Sequence, residues 1–181
     1  MRSSAKIHAG TQLALATAGL LAAALATAPL LPPFADEWLL LGIGIVLLVP
    51  LHVATLIRGI AVGLRARGFA SSKANQWRAL RSLPRRVQGL LAAVGLTGLV
   101  LIIHAGADAS SLQNTDTVRG RYFAIDTSDP QRQRIEISRS ESEALQKEDQ
   151  QVAFAAYALV ATVGAGLTLV LARLDSWAGR S

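Results

Sequence analysis

The chain has 181 residues, 51% of them hydrophobic, a net charge of +6 and no cysteine. That length suits one compact unit with no large soluble domain beside it, and the missing thiols exclude disulfides and Cys-ligated metal sites. The positive balance invites a nucleic-acid reading, but Trp77 is the lone ring between Lys73 and Arg78, where a nucleic-acid platform interleaves several with its charges.

Four stretches, 7–35, 38–57, 87–107 and 150–172, contain no Asp, Glu, Lys or Arg. Each reaches the roughly 20 residues that cross a hydrocarbon layer. The expected fold is an all-α integral membrane protein, four transmembrane helices with a small extracytoplasmic β-hairpin between the third and fourth. Residues 1–105 hold the first three helices and a basic loop at 58–86, residues 106–150 the hairpin and the start of a helix, and residues 151–181 the fourth helix and tail.

Charge orients these spans. Arg2 and Lys6 precede the first, Arg58, Arg65, Arg67, Lys73, Arg78, Arg81, Arg85 and Arg86 fill the second connection, and Arg173 and Arg180 follow the last. The first connection holds only Asp36 and Glu37, and acids outnumber bases in the third. Lys and Arg in short loops stay on the cytoplasmic side during insertion, so both termini and the basic loop are expected there. That loop is also expected to meet anionic lipid head groups of the bilayer. Abundant Arg, Ala and Gly suit a bacterial chain and a cytoplasmic (inner) membrane.

In the first span Ala18, Ala22 and Ala26 recur every four residues, an expected close-packing face. Its basic start and the Ala26-Thr-Ala28 run imitate a cleavable signal, but Pro29 after that site and the continuing apolar run favour retention. Pro29, Pro32 and Pro33 then stop the helix and turn the chain tightly into an antiparallel second span. Trp38 marks the outer interface. Pro50 cannot donate to the Val46 carbonyl and is expected to kink the second span, with His52 a short step beyond. A kink beside a titratable side chain is how transport helices expose carbonyls, so Pro50 and His52 form the candidate intramembrane polar site, whose ordinary alternative is a histidine bonded to a hydroxyl or carbonyl.

After Arg58 the helix is expected to run on for a turn or two. Residues 72–83 then form a short helix capped by Ser72, resting Trp77 and Leu80 on the membrane surface with Arg81 on nearly the Trp77 face, before Pro84 breaks it. The third span carries Gly89, Ala93, Gly95, Thr97 and Gly98, again suited to close contact. His104 and His8 read as peripheral. Scattered histidines with no i, i+4 pairing propose no metal site.

The outward segment opens with an expected flexible stretch at 109–114. Arg121 to Asp126 reads as a strand, Ser128, Asp129 and Pro130 as a turn, and Arg134 to Ile137 as the returning strand. Period-two alternation puts Phe123 and Ile125 on one face with Ile135 and Ile137, leaving Arg134 and Glu136 on the other. With Tyr122, these apolar residues are the candidate interaction surface. Ser138 and Glu141 match a capping box, opening one helix from Arg139 to about Ala172, about 50 Å long at 1.5 Å per residue. Within it Ala158, Thr162 and Gly166 make a candidate helix-packing face, suited to the bundle or to a homo-oligomer seam.

No nucleophile elbow, phosphate loop or zinc helix occurs, and no span carries a carboxylate for a proton relay. The expectation is a noncatalytic interaction, accessory or sensing protein with no cofactor, acting with a membrane partner or its own copies. The alternative is a subunit of a small oligomeric transporter or channel with its kinked second helix at Pro50 and His52.

Overall fold

A computed structural model of the chain describes residues 3–28, 30–66, 70, 72–107, 111–128 and 130–178. The elements in order are α1 (Ser3–Ala26), α2 (Glu37–Arg65), α3 (Lys73–Arg81), α4 (Arg85–Ala107), β1 (Leu112–Val118), β2 (Arg121–Asp126), β3 (Arg134–Ile137) and α5 (Arg139–Ala178). Helices α1, α2, α4 and α5 are each long and apolar enough to cross a membrane. Pro29, Asp129 and Gly68 lie outside the described residues, as does the side chain of Trp38.

Helix α5 is the axis of the fold. Its 40 residues extend about 60 Å at 1.5 Å per residue, and it contacts α1, α2, α3, α4, β1 and β2. The capping box starts it: the Ser138 amide donates to Glu141 Oε2 at 2.8 Å and the Glu141 amide to Ser138 Oγ at 3.2 Å. With no proline or unpaired acid in its apolar part, nothing interrupts it before Ala178.

The α1–α5 contact follows from side-chain size. The buried residues of α1 are Ala5, Ala9, Gln12, Ala16, Gly19, Ala23 and Ala26, alternating three and four apart. That is a heptad seam, and small side chains let the two backbones approach. A side chain on Gly19 would meet the Phe154 carbonyl oxygen at 3.1 Å and Ala158 Cβ at 3.2 Å. The seam corrects the expected Ala18, Ala22 and Ala26 face: Ala26 belongs to it, whereas Ala18 is exposed. Alanine is so frequent in α1 that several stripes look alike in sequence, and only the neighbour selects one.

Where the chain leaves α1, it is pinned rather than merely turned. Gln150 accepts from the Phe34 amide at 2.9 Å and donates to the Phe34 carbonyl at 3.0 Å. Lys147 Nζ donates to the Ala28 carbonyl at 3.1 Å, and the Phe34 and Phe154 rings meet edge to face at 5.7 Å. At the opposite end Val62, Ala79 and Leu174 share a buried cluster that fixes α2 and α3 on α5, with Trp177 packed against it. Arg65 pairs there with Asp175 at 3.3 Å. Ser72 occupies the N-cap position of α3 but its side chain makes no capping bond. Arg81 lies 5.0 Å over the Trp77 ring, the shared face expected of the two.

The segment between α4 and α5 is a three-stranded antiparallel sheet, β1-β2-β3, rather than a two-stranded hairpin. The stretch expected to be flexible contributes the start of β1. Arg119 and Gly120, at φ 52° and 79°, make the two-residue connection to β2, and positive φ at both central residues suits the right-handed twist of the flanking strands. A register shift between Gln113 and Asp116 gives β1 one extra residue against β2.

The strand faces also differ from expectation. Tyr122 pairs with Ile137, Phe123 with Glu136, Ala124 with Ile135 and Ile125 with Arg134. Ile135 and Ile137 therefore share a face with Tyr122 and Ala124, while Phe123 and Ile125 lie with the charged residues. The loop sets the register, and a one-residue offset moves a whole strand to the other face. Ala124, 1% exposed, marks the covered side, and α5 is the helix that contacts β2.

Candidate functional site

Six polar or glycine residues from three helices meet inside the bundle. The seam of α1 supplies Gln12, fully buried at 0% exposure, and one turn earlier His8. Helix α2 supplies His52 and Thr55, and α5 supplies Gly164 and Thr168, the latter also 0% exposed. A polar group in an apolar bundle needs partners, because an unmatched buried one costs about 1–3 kcal/mol.

Most of them are matched. His8 Nε2 lies 2.8 Å from the Leu51 carbonyl oxygen and 3.2 Å from Thr55 Oγ1. Thr55 and Thr168 hydroxyls are 2.8 Å apart, and Thr168 donates to Gln12 Oε1 at 3.1 Å. Each hydroxyl has one proton. Thr55 Oγ1 also lies 2.9 Å from the Leu51 carbonyl oxygen, so its one proton serves that carbonyl or Thr168, and His8 shares the carbonyl. The result is a continuous chain across α2, α5 and α1.

Gln12 Nε2 is the exception: it is buried and has no hydrogen-bond partner. It points toward Gly164, where a side chain would begin 2.6 Å from Gln12 Nε2 and 2.6 Å from His52 Nε2. The two nitrogens are therefore no more than twice that distance apart, over backbone that only glycine leaves uncovered. His52 Nδ1 lies 3.0 Å from the Leu48 carbonyl oxygen and Nε2 3.3 Å from that of Val160. A neutral imidazole donates from one nitrogen and so serves one of these carbonyls at a time.

Pro50 lies inside α2 and is exposed, two residues before His52, with its ring toward the outside of the cluster. His8, read as peripheral, instead sits against Leu51 and Thr55. His52 has the carbonyl partners that the ordinary reading of an intramembrane histidine describes. Gln12, Thr55, Gly164 and Thr168 went unnoticed in sequence, although Gln12 is an amide in a run otherwise built mainly from Ala and Leu. Among the described residues no three His, Asp or Glu side chains gather. His8 and His52 face carbonyls and, for His8, the Thr55 hydroxyl.

The packing-face residues are inside the monomer. Ala158 and Thr162 are 0% and 6% exposed. Thr162 Cγ2 would stand 3.7 Å from a side chain on Gly95, and a side chain on Gly166 would meet Leu91 Cδ1 at 4.0 Å. The candidate interaction residues of the sheet divide between its two faces. Arg134 lies 4.4 Å over the Phe123 ring and pairs with Asp116 at 2.7 Å, while Arg121 pairs with Glu136 at 3.5 Å. Tyr122, Ile135 and Ile137 are half-buried on the covered side. The open face is thus a laced set of charges around Phe123 and Ile125. Asp126, at the end of β2, accepts from the Ser128 hydroxyl at 2.6 Å and the Ser128 amide at 2.9 Å. Those bonds, the hydroxyl's foremost, hold its carboxyl below the usual carboxylate range.

No protein-family model, curated protein or solved structure matches this chain.

Proposed function

We propose that this chain is a noncatalytic, multi-pass protein of a bacterial cytoplasmic membrane and acts as an interaction or sensing component through its outward sheet. Both termini and the basic connection between α2 and α4 face the cytoplasm in this reading. The observation that carries it is the continuity of α5. One 40-residue helix meets the sheet, passes Thr168 in the polar cluster and meets α3. A break would absorb a displacement of the sheet, whereas an unbroken helix passes it to the groups packed along its length.

The exposed side chains of α2 support the lipid environment. Val46, Leu56 and Ile60 are 71%, 67% and 64% exposed along one helix, an apolar surface larger than water-soluble monomers carry. The test is partner capture in intact membranes by cross-linking and mass spectrometry. A partner held by the full chain is expected to be lost when residues 117–137 are deleted, and unchanged capture overturns the reading.

The polar chain favours a second reading, a subunit of a small oligomeric transporter or channel whose pathway another copy completes beside Pro50 and His52. Proton or solute flux in proteoliposomes that disappears in His52→Ala selects this reading over the first.

A further inference from the structure

Away from the polar cluster, where α1 and α4 begin and α5 nears its end, a cleft of about 490 Å³ opens between these three helices. Gly10 and Leu13 of α1, Leu91 of α4 and Leu169 of α5 form apolar walls, and Lys6 and Arg173 are the charged residues of its lining. No acid is among its described lining residues, and Asp175, two residues beyond Arg173, is engaged by Arg65 at 3.3 Å. Arg173 Nη2 donates to the Ser82 carbonyl at 3.3 Å, while its Nε is buried and without a partner. The guanidinium's remaining terminal donors, in a planar fork, match a phosphate.

We propose that this cleft seats an anionic phospholipid, one acyl chain along the apolar walls and the phosphate between Lys6 and Arg173. The volume falls within the roughly 300–1,000 Å³ of small-molecule sites. Two cations at the mouth of an apolar slot complement an amphiphile, whereas a free anion gains nothing from the walls. Basic pockets between transmembrane helices at the cytoplasmic side bind anionic head groups for this reason. Gly10 keeps the slot open, since a side chain there would meet nothing within 4 Å. The site rests on the membrane reading above and borders the basic loop through Leu83 and Pro84, but neither of its cations comes from that loop.

The test is native mass spectrometry of the full chain in detergent, titrated with palmitoyl-oleoyl phosphatidylglycerol or with the phosphatidylcholine of the same chains. Phosphatidylglycerol is expected to bind more tightly, about fivefold less so for each of Lys6→Gln and Arg173→Gln. Gly10→Trp, which fills the slot, is expected to reduce occupancy by phosphatidylglycerol even with both cations present. Lys6 and Gly10 are exposed, so their variants decide the matter if Arg173→Gln does not fold. Equal binding of the two lipids, wild-type binding by the folded Lys6→Gln and Gly10→Trp chains, or displacement of the lipid by inorganic phosphate overturns the site. A chain recovered from the soluble fraction without detergent fails the membrane reading instead, and a membrane-bound chain without lipid preference fails this site alone.

Discussion

Gln12 Nε2 and His52 Nε2 converge over the bare backbone of Gly164, each 2.6 Å from the point where a side chain would begin. Carbon atoms do not approach side-chain nitrogens that closely, so Gly164→Ala must push both groups out of the seam. The expected loss is about 1–3 kcal/mol of stability, the usual cost of overpacking. Gly42→Ala is the control, because a side chain there meets nothing within 4 Å and helix propensity alone favours alanine by roughly 0.5–1 kcal/mol. Thermal melts of the two variants in one detergent are expected to shift in opposite directions. A shift of the same sign in both removes the close approach as the explanation.

Thr168 and Gln12 are expected to be energetically coupled, since the hydroxyl donates to the amide at 3.1 Å with both side chains 0% exposed. Gln12→Leu removes the unpartnered Nε2 along with the accepting oxygen, so its own cost is expected to be small or negative. Thr168→Val alone leaves the Gln12 oxygen stranded and costs more. The double-mutant cycle is expected to give about 0.6–1.7 kcal/mol, the range for hydrogen bonds between transmembrane helices. Strict additivity would show that this chain of bonds is not formed.

The carboxylate of Asp126 sets an acid limit on the sheet. Its pKa is lowered in the fold, chiefly by the Ser128 hydroxyl and then by the Ser128 amide. A lowered folded value means that the unfolded chain binds the proton first. The stabilisation is therefore present above the ordinary carboxylate range and is lost as pH falls through the lower folded value. Ser128→Ala removes the larger contribution, so hydrogen exchange at β2 and β3 amides is expected to depend less steeply on pH in that acidic window. Identical profiles in the variant and the parent chain would assign the acid response elsewhere.

How much of this was legible follows from which features are local. Uncharged runs long enough to span lipid are local, and all four appear as helices; so are the Ser138 and Glu141 cap and the strands around Tyr122 and Ile135. The β1 strand was hidden because its turn uses Arg119 at φ 52°, an arginine where asparagine or glycine signals a hairpin. The strand faces were misassigned because loop geometry, not alternation, sets which residue of β3 meets Phe123. The polar cluster was unreadable for a different reason. His8, Thr55 and Thr168 each look ordinary in their own helix, and only tertiary packing brings them together. Arg65 likewise finds its acid in Asp175, far along the chain.

The absence of cysteine permits a direct check of orientation. Ala74 in α3 and Gln133 before β3 are both exposed, so a single cysteine at either position adds a thiol without disturbing the core. Lys and Arg dominate the segment around Ala74, and such segments resist translocation. Ala74→Cys is therefore expected to react with an impermeant maleimide only after the membrane is opened, and Gln133→Cys in intact cells. Labelling of Ala74→Cys in intact cells overturns the cytoplasmic placement of the basic loop and, if Gln133→Cys stays unlabelled, reverses the assignment of the sheet to the outside. It would also move the mouth of the Lys6 and Arg173 cleft away from the cytoplasmic leaflet, where anionic lipid is concentrated.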